Sequence, residues 1–232
     1  MAPSVPSMWL GCRFVTTVLL IRHGRTRANS QGILAGRLPG VLLDGVGRTQ
    51  VRSLAGRLRE VPIDEIAHSP LERCVETALG LAGARRTPVP LHPDPRLLEC
   101  DYGQWTGQKL AELATQPLWD TVQRQPSAVV FPGGESMVEM ADRAVSAVRD
   151  ARTRHPGGVV AVVSHGDVIK AILSDALGQP LDAFQRIAVA PGSVSVVAYG
   201  PHRPTVLRMN ETGGRMRLHG SAAAPTVGGG AG

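Results

Sequence analysis

Two histidines in this chain are each followed directly by glycine, in Arg22-His23-Gly24-Arg25-Thr26 and in Ser164-His165-Gly166-Asp167. An imidazole in such a place can serve as nucleophile, base, metal ligand or structural donor. Around His23 the neighbours favour work on an anion. Arg22 offers a planar fork of donors suited to phosphate oxygens. Gly24 lets backbone approach a ligand where a side chain would obstruct it, and Thr26 and Asn29 add neutral donors. Around His165 no further ligands follow at metal-binding spacing, so the sequence indicates no metal site. Ser164 does not make a serine nucleophile, because adjacent side chains point apart and no nucleophile elbow is present. His165 therefore reads as a donor or electrostatic partner beside a phosphate, and Asp167 as an acid stabilising a helix N-terminus.

Two more segments carry usable groups. In His68-Ser69-Pro70-Leu71-Glu72-Arg73 a strand end feeds a helix, and Arg73 sits where it can lean back over the sheet edge. Taken alone, Arg73 reads as a solvated helix arginine and His68 as structural. In Glu99-Cys100-Asp101-Tyr102-Gly103, Glu99 or Asp101 could pass a proton to a leaving oxygen if burial or nearby negative charge raised its pKa. Taken alone, they are turn acids.

The elements that must position these groups alternate. Phe14–Ile21 and Gly158–Ser164 are apolar, β-branched runs suited to strands buried on both faces. Both end in a histidine-glycine pair. Glu65–His68 and Val194–Tyr199 are shorter strand candidates. Apolar positions recurring at the 3.6-residue period predict helices over Val46–Arg59, Leu71–Ala82, Ser136–Arg154 and Val168–Leu177. Ser69 is expected to cap the second of these, with Pro70 in its first turn. Such alternation implies crossover connections and an α/β fold of three layers, helices on both faces of a mostly parallel sheet. Open α/β sheets bind ligands outside the carboxyl ends of their strands, where both histidine-glycine pairs fall. Residues 1–13 read as an irregular lead-in or as sequence upstream of the true start. Residues 14–212 read as one domain, and 213–232 as a disordered tail rich in Gly and Ala.

Composition narrows the partners. The 232 residues carry 25 Lys and Arg against 19 acids, a formal net charge of +6. Lys109 and Lys170 are the only lysines. The arginines form no basic run and no stripe interleaved with aromatics, which argues against nucleic acid. The apolar run Phe14–Ile21 is too short to span a bilayer, and no basic stretch precedes it as in a secretory signal. Cys12, Cys74 and Cys100 form no C-x-x-C pair, so neither a disulfide framework nor zinc is implied. The expectation is a cytoplasmic protein needing no cofactor, with no membrane partner.

The four segments, in this order, resemble the histidine phosphatase superfamily, also called phosphoglycerate-mutase-like. "LLIRHGRTRAN" matches its R-H-G-x-S/T-x-x-N signature without departure. "SPLERCVETA" is similar to its second arginine motif, "ECDYGQWTG" to its acidic motif, "FPGGES" to a loop leading into a helix, and "SHGDVIKA" to its second histidine motif. Longer stretches are similar to an actinobacterial subgroup that carries a phosphomutase label. The resemblance implies the phosphoglycerate-mutase-like fold and a role for each motif residue. His23 is the nucleophile that accepts the phosphoryl group. Arg22, Arg73 and His165 hold phosphate oxygens, with Asn29 an added donor and Gly166 in the same set. Glu99 is the general acid. The unprotonated nitrogen of His23 is expected to have its ring partner donating to a backbone carbonyl.

Within that family the stretch Gln108–Gly134 departs from the phosphoglycerate mutases. It is short and offers Lys109 and Arg124 but no adjacent pair of arginines to grip a carboxylate. The expected activity is therefore metal-independent hydrolysis of a small phosphate monoester through a phosphohistidine, with phosphomutase as the alternative. A non-catalytic phospholigand-binding protein is a lesser one, weakened because His23, Glu99 and both arginines are all present. A homodimer is expected by analogy alone.

Overall fold

A computed structural model describes residues 15–214 and 216. The lead-in over residues 1–13, Phe14 and residues 217–232 of the tail lie outside the described residues. Six strands, β1 (Thr16–Arg22), β2 (Glu65–His68), β3 (Leu91–Pro93), β4 (Val159–Ser164), β5 (Val194–Tyr199) and β6 (Pro204–Glu211), form one sheet in the order β3-β2-β4-β1-β5-β6. The pairs β1·β4, β2·β4 and β2·β3 are parallel, and only β5 runs against its neighbours. The helices are α1 (Arg27–Ser30), α2 (Gly45–Leu58), α3 (Glu72–Gly83), α4 (Leu110–Leu113), α5 (Pro117–Arg124), α6 (Met137–Arg154) and α7 (Gly166–Leu177).

The central strands read as unbroken apolar runs because both of their faces are covered. Val18 and Leu20 of β1, with Val160 and Val162 of β4, join the core beneath α6 and α7. The intervening Leu19, Ile21, Ala161 and Val163 join the core beneath α2 and α3. Each such Val, Leu or Ile contributes about 1.5–3 kcal/mol by leaving water. Met216 is buried in the second core. The packed chain therefore runs past Gly213, where the sequence suggests the tail begins.

Helix ends follow their local chemistry. Asp44 caps α2 by accepting from the Gly47 amide at 2.7 Å, and Ser136 with Glu139 closes a capping box on α6. Gly178, at φ 66°, ends α7 in the left-handed region. Ser69 does not cap α3: that helix starts at Glu72, with Leu71 at its N-cap and Pro70 outside it. The Ser69 hydroxyl is bound to His165 instead. Two strands and α5 carried no clear signal. β3 is three residues among prolines, and β6 is an edge strand of alternating exposure rather than an apolar run.

Register places the site. Arg22 on β1 pairs with Ser164 on β4, and His68 on β2 pairs with Val163. His23 and His165 therefore emerge at one level along the carboxyl edge of the sheet, with Ser69 one residue lower on β2.

Candidate active site

A cavity of about 280 Å³ opens at that edge, and Arg22, His23, Thr26, Asn29, Arg73, Glu99 and Gly166 all line it. Segments more than a hundred residues apart in sequence thus meet in one place.

His23 is buried, and its Nδ1 lies 2.8 Å from the carbonyl oxygen of Gly24. A carbonyl can only accept, so Nδ1 carries the proton and Nε2 is left with its lone pair. Burial first, then the charges of Arg73 and Arg22, hold the ring well below the ordinary histidine pKa, so it is neutral at pH 7.

The two arginines share one arrangement. One arm of each is anchored on a carbonyl: Arg22 Nη1 donates to Val189 O, and Arg73 Nη2 donates to Gly36 O at 2.7 Å. Arg22 Nε and Arg73 Nη1 are buried without any partner. Among the described residues, neither guanidinium is in an ion pair. A buried Arg73 and a partly buried Arg22, both unpaired beside a neutral imidazole, are unfavourable unless an anion completes them. Planar forks suit the oxygens of a phosphate.

Glu99 is buried too, with Oε1 accepting from the Cys100 amide at 3.0 Å. Burial first, then the negative charge of Asp167, pushes its carboxyl up to about 7, against the pull of Arg73 and Arg22. Its backbone is clamped from behind. The Glu99 carbonyl accepts from Arg37 Nε at 2.9 Å and Arg143 Nη2 at 3.1 Å, and Glu135 pairs with both arginines. Gly103, at φ 51°, lets the acidic loop press against Pro132–Gly134, where a Cβ would stand 2.3 Å from the Pro132 carbonyl oxygen. Asp101 does not line the cavity; its Oδ2 lies 3.6 Å from Arg37.

Other expected residues are placed differently from their sequence reading. Gly24 does not line the cavity, because it makes room for α2: an added Cβ would lie 2.7 Å from the Gly47 carbonyl oxygen. Thr26 lines the cavity, but its hydroxyl donates to Asn29 Oδ1 at 3.0 Å and accepts from the Asn29 amide at 3.2 Å, so its proton is committed to capping α1. With Oδ1 taken by Thr26, Asn29 keeps its amide NH2 for a ligand. Gly166 lines the cavity beside Arg22, whose Cζ would lie in ordinary contact, 3.4 Å, from an added Cβ. His165 is fully buried and outside the cavity lining; its Nε2 is 2.8 Å from Ser69 Oγ and its ring lies beside that of His23. Burial first, with Arg73 and the neighbouring His23 next, keeps His165 neutral as well.

The outer cavity is built by the acidic motif and the stretch that follows it, which supply Tyr102, Trp105, Trp119, Gln123 and Phe131. Trp105 and Trp119 stack at 6.2 Å and, with Leu34 and Phe131, give it an apolar wall. Against them stand Asp167, Lys170, Gln123 and Gln185. Lys109 and Arg124 do not line it; Lys109, at the head of α4, pairs with the exposed Glu112, and Arg124 with the exposed Asp120 of its own helix. Among the described residues, no group of three or more His, Cys, Asp or Glu is arranged to hold a metal ion. Nor is any helix among them long and apolar enough to cross a membrane.

Residues 18–212 match the family model described as histidine phosphatase superfamily (branch 1). Phosphoserine phosphatase 1 of Hydrogenobacter thermophilus is 31% identical over 197 residues, 84% of this chain and 92% of that protein. The bifunctional protein Rv2228c of Mycobacterium tuberculosis is 35% identical over 221 residues, 91% of this chain, which spans only 58% of that protein's length. Proteins named probable phosphoglycerate mutases are also among the relatives. The solved structure of YhfR from Bacillus stearothermophilus superposes with a TM-score of 0.79 at 28% identity, covering 85% of this chain and 98% of that one. The chain is an enzyme of the histidine phosphatase superfamily, whose fold and phosphatase or phosphomutase chemistry it shares.

Proposed function

We propose that this chain is a metal-independent phosphatase that hydrolyses a small phosphate monoester through a phosphohistidine on His23. The observation that carries the reading is the pair of anchored guanidiniums, each with a buried, unpartnered nitrogen, lining the same cavity as a neutral imidazole with a free Nε2. The phosphate is held by Arg22 and Arg73, with the Asn29 amide as a further donor. His23 Nε2 attacks phosphorus as the bond to the leaving oxygen breaks, and Glu99 gives its proton to that oxygen. The Glu99 carboxylate then takes a proton from water. The water oxygen attacks phosphorus, releasing inorganic phosphate and free His23. Charge spreads over the equatorial oxygens in both transition states, where fixed cations help most. Division into two displacements lowers each barrier.

Hydrolysis is favoured over mutase action by the outer cavity. Beyond Arg22 and Arg73 its one cation among the described residues is Lys170, already 3.3 Å from Asp167. No free positive charge waits there for a second anionic group of the kind a phosphoglycerate carries. Cytoplasmic location belongs to the same reading and is supported by Cys74 and Cys100, both free and buried thiols. So does a homodimer, whose interface could cover Leu207 and Met209 on the edge strand β6.

The test is hydrolysis of p-nitrophenyl phosphate in EDTA by wild type and His23→Ala. Turnover that survives chelation and vanishes in the variant is expected. Equal turnover by the two proteins would overturn the reading.

A further inference from the structure

The first turn of α7 carries an acid that the proposed chemistry does not use. Asp167 lies in the lining of the same cavity as Glu99, and both of its oxygens are taken by donors. The Tyr102 hydroxyl donates to Oδ2 at 2.8 Å, and the Lys170 ammonium, one turn along the helix, lies 3.3 Å from Oδ1. Lys170 is itself steadied by Gln185 Oε1 at 2.9 Å. Tyr102 is buried, three residues after Glu99, so the loop that carries the acid is tied to α7 through Asp167.

Two carboxyls that line one pocket repel each other when both are charged, so a fixed carboxylate on one favours the protonated form of the other. Asp167 is the better stabilised anion. It has a hydroxyl donor, an ammonium, the positive end of the 12-residue helix α7 and a side chain 23% exposed. Glu99 has one backbone N–H, to Oε1, and almost no contact with solvent.

We propose that Asp167 is a positioning residue for the reaction: pinned by Tyr102 and Lys170 in the lining of the same cavity, its fixed negative charge favours the protonated form of Glu99, which so meets the ester as an acid. The proposal rests on Glu99 being the acid. Asp167 touches no reacting atom in this role. It acts through the charge it holds fixed while Glu99 first gives up and later regains a proton. The other groups around Glu99 oppose it or are neutral. Arg22 from the end of β1 and Arg73 from α3 favour the carboxylate, and Arg37 and Arg143 of α6 hold the Glu99 carbonyl while paired with Glu135. His23 is neutral, the Cys100 thiol is pushed up by burial, and the Tyr102 phenol is pushed well above its usual range. Asp167 is thus the anion that offsets the two arginines.

The test compares kcat/KM against pH for phenyl phosphate, whose leaving oxygen needs the proton, and p-nitrophenyl phosphate, which needs it far less. In Asp167→Asn the basic limb for phenyl phosphate should move to lower pH by roughly one unit, the scale of a neighbouring-charge effect. Asp167→Glu, which restores the charge, should move it back. A limb that stays at its wild-type position in Asp167→Asn overturns the proposal. Glu99→Gln separates the two ways of failing. If it slows both esters equally, the acid assignment of Glu99 falls and the proposal falls with it. If it selectively slows phenyl phosphate while Asp167→Asn leaves the limb in place, only the role of Asp167 falls. Should Asp167→Asn not fold, Asp167→Ser removes the same charge and is read by the same limb.

Discussion

The imidazole rings of His23 and His165 meet edge to face, their centroids 5.3 Å apart and their planes at 61°. The meeting is a consequence of strand register. β1 and β4 are parallel neighbours with Arg22 opposite Ser164, so the residue after each strand leaves the sheet at the same height. The two rings are nevertheless unequal. His23 has a proton fixed on Nδ1 by the Gly24 carbonyl and faces the cavity with Nε2, whereas the Nε2 of His165 is occupied by Ser69.

That inequality predicts which ring carries phosphate. Rapid quenching with a 32P-labelled ester should trap an acid-labile, base-stable phosphoenzyme in wild type and none in His23→Ala. His165→Ala should still be labelled, with kcat/KM reduced roughly 10²- to 10³-fold, the scale of losing one electrostatic stabiliser. Label that disappears in His165→Ala and survives in His23→Ala would reverse the assignment.

A second prediction concerns the cost of keeping Glu99 ready. Its carboxyl sits at about 7 in the folded protein, mainly through burial, against an ordinary value of 4.5. Because the folded pKa is raised, the stability this group contributes is fully present below about 4.5 and is lost as pH rises through about 7. Glu99→Gln carries no such burden. Urea unfolding should show the variant gaining on wild type between pH 5 and pH 8 by roughly 1–3 kcal/mol. A difference independent of pH would show that Glu99 is not held as an acid by the fold.

Much of this arrangement is legible in the sequence, for a definite reason. Strands buried on both faces must be apolar throughout, so β1 and β4 stand out, and their carboxyl ends mark the site. Arg22, His23, Arg73 and Glu99 follow from that placement together with the family resemblance. What fails to show is side-chain commitment across elements. Thr26 reads as a phosphate donor until its hydroxyl is seen capping α1 with Asn29. Ser69 reads as a helix cap, yet it holds His165. Asp167 reads as a simple helix-end acid, because its bond to Tyr102 spans 65 residues. Motif spacing carries no record of which partner a hydroxyl or carboxylate chooses.

Gly24 offers a test of the backbone packing behind His23. A Cβ there would stand 2.7 Å from the Gly47 carbonyl oxygen and 3.1 Å from Val51 Cγ2, both on α2. Backbone cannot yield as a flexible side chain would, so Gly24→Ala should push the loop that carries His23 away from α2. Overpacking of this kind costs about 1–3 kcal/mol, and denaturant unfolding should show that loss. Because the displaced residue adjoins His23, the proposed nucleophile, kcat should fall at least tenfold, the penalty of misplacing a reacting group by a fraction of an ångström. Wild-type stability and turnover together would mean that α2 yields without moving His23.

The proposed phosphate site should also reveal itself in stability. Arg73 is 2% exposed and has no carboxylate partner among the described residues, while its Nη1 has no hydrogen-bond partner at all. A buried cation in that state opposes folding, and replacing it with an apolar side chain of similar length removes a desolvation penalty on the order of several kcal/mol. Arg73→Met forfeits the bond to the Gly36 carbonyl, which offsets part of that gain. The ligand-free variant should therefore unfold at a temperature equal to or above that of wild type. Inorganic phosphate should reverse the order. It raises the melting temperature of wild type by completing Arg22 and Arg73, in proportion to the logarithm of its concentration. Arg73→Met should lose most of that increment, along with phosphatase activity. A variant that melts far below wild type, yet still responds fully to phosphate, would make Arg73 a structural residue of α3 and leave the anion site to Arg22 and its neighbours.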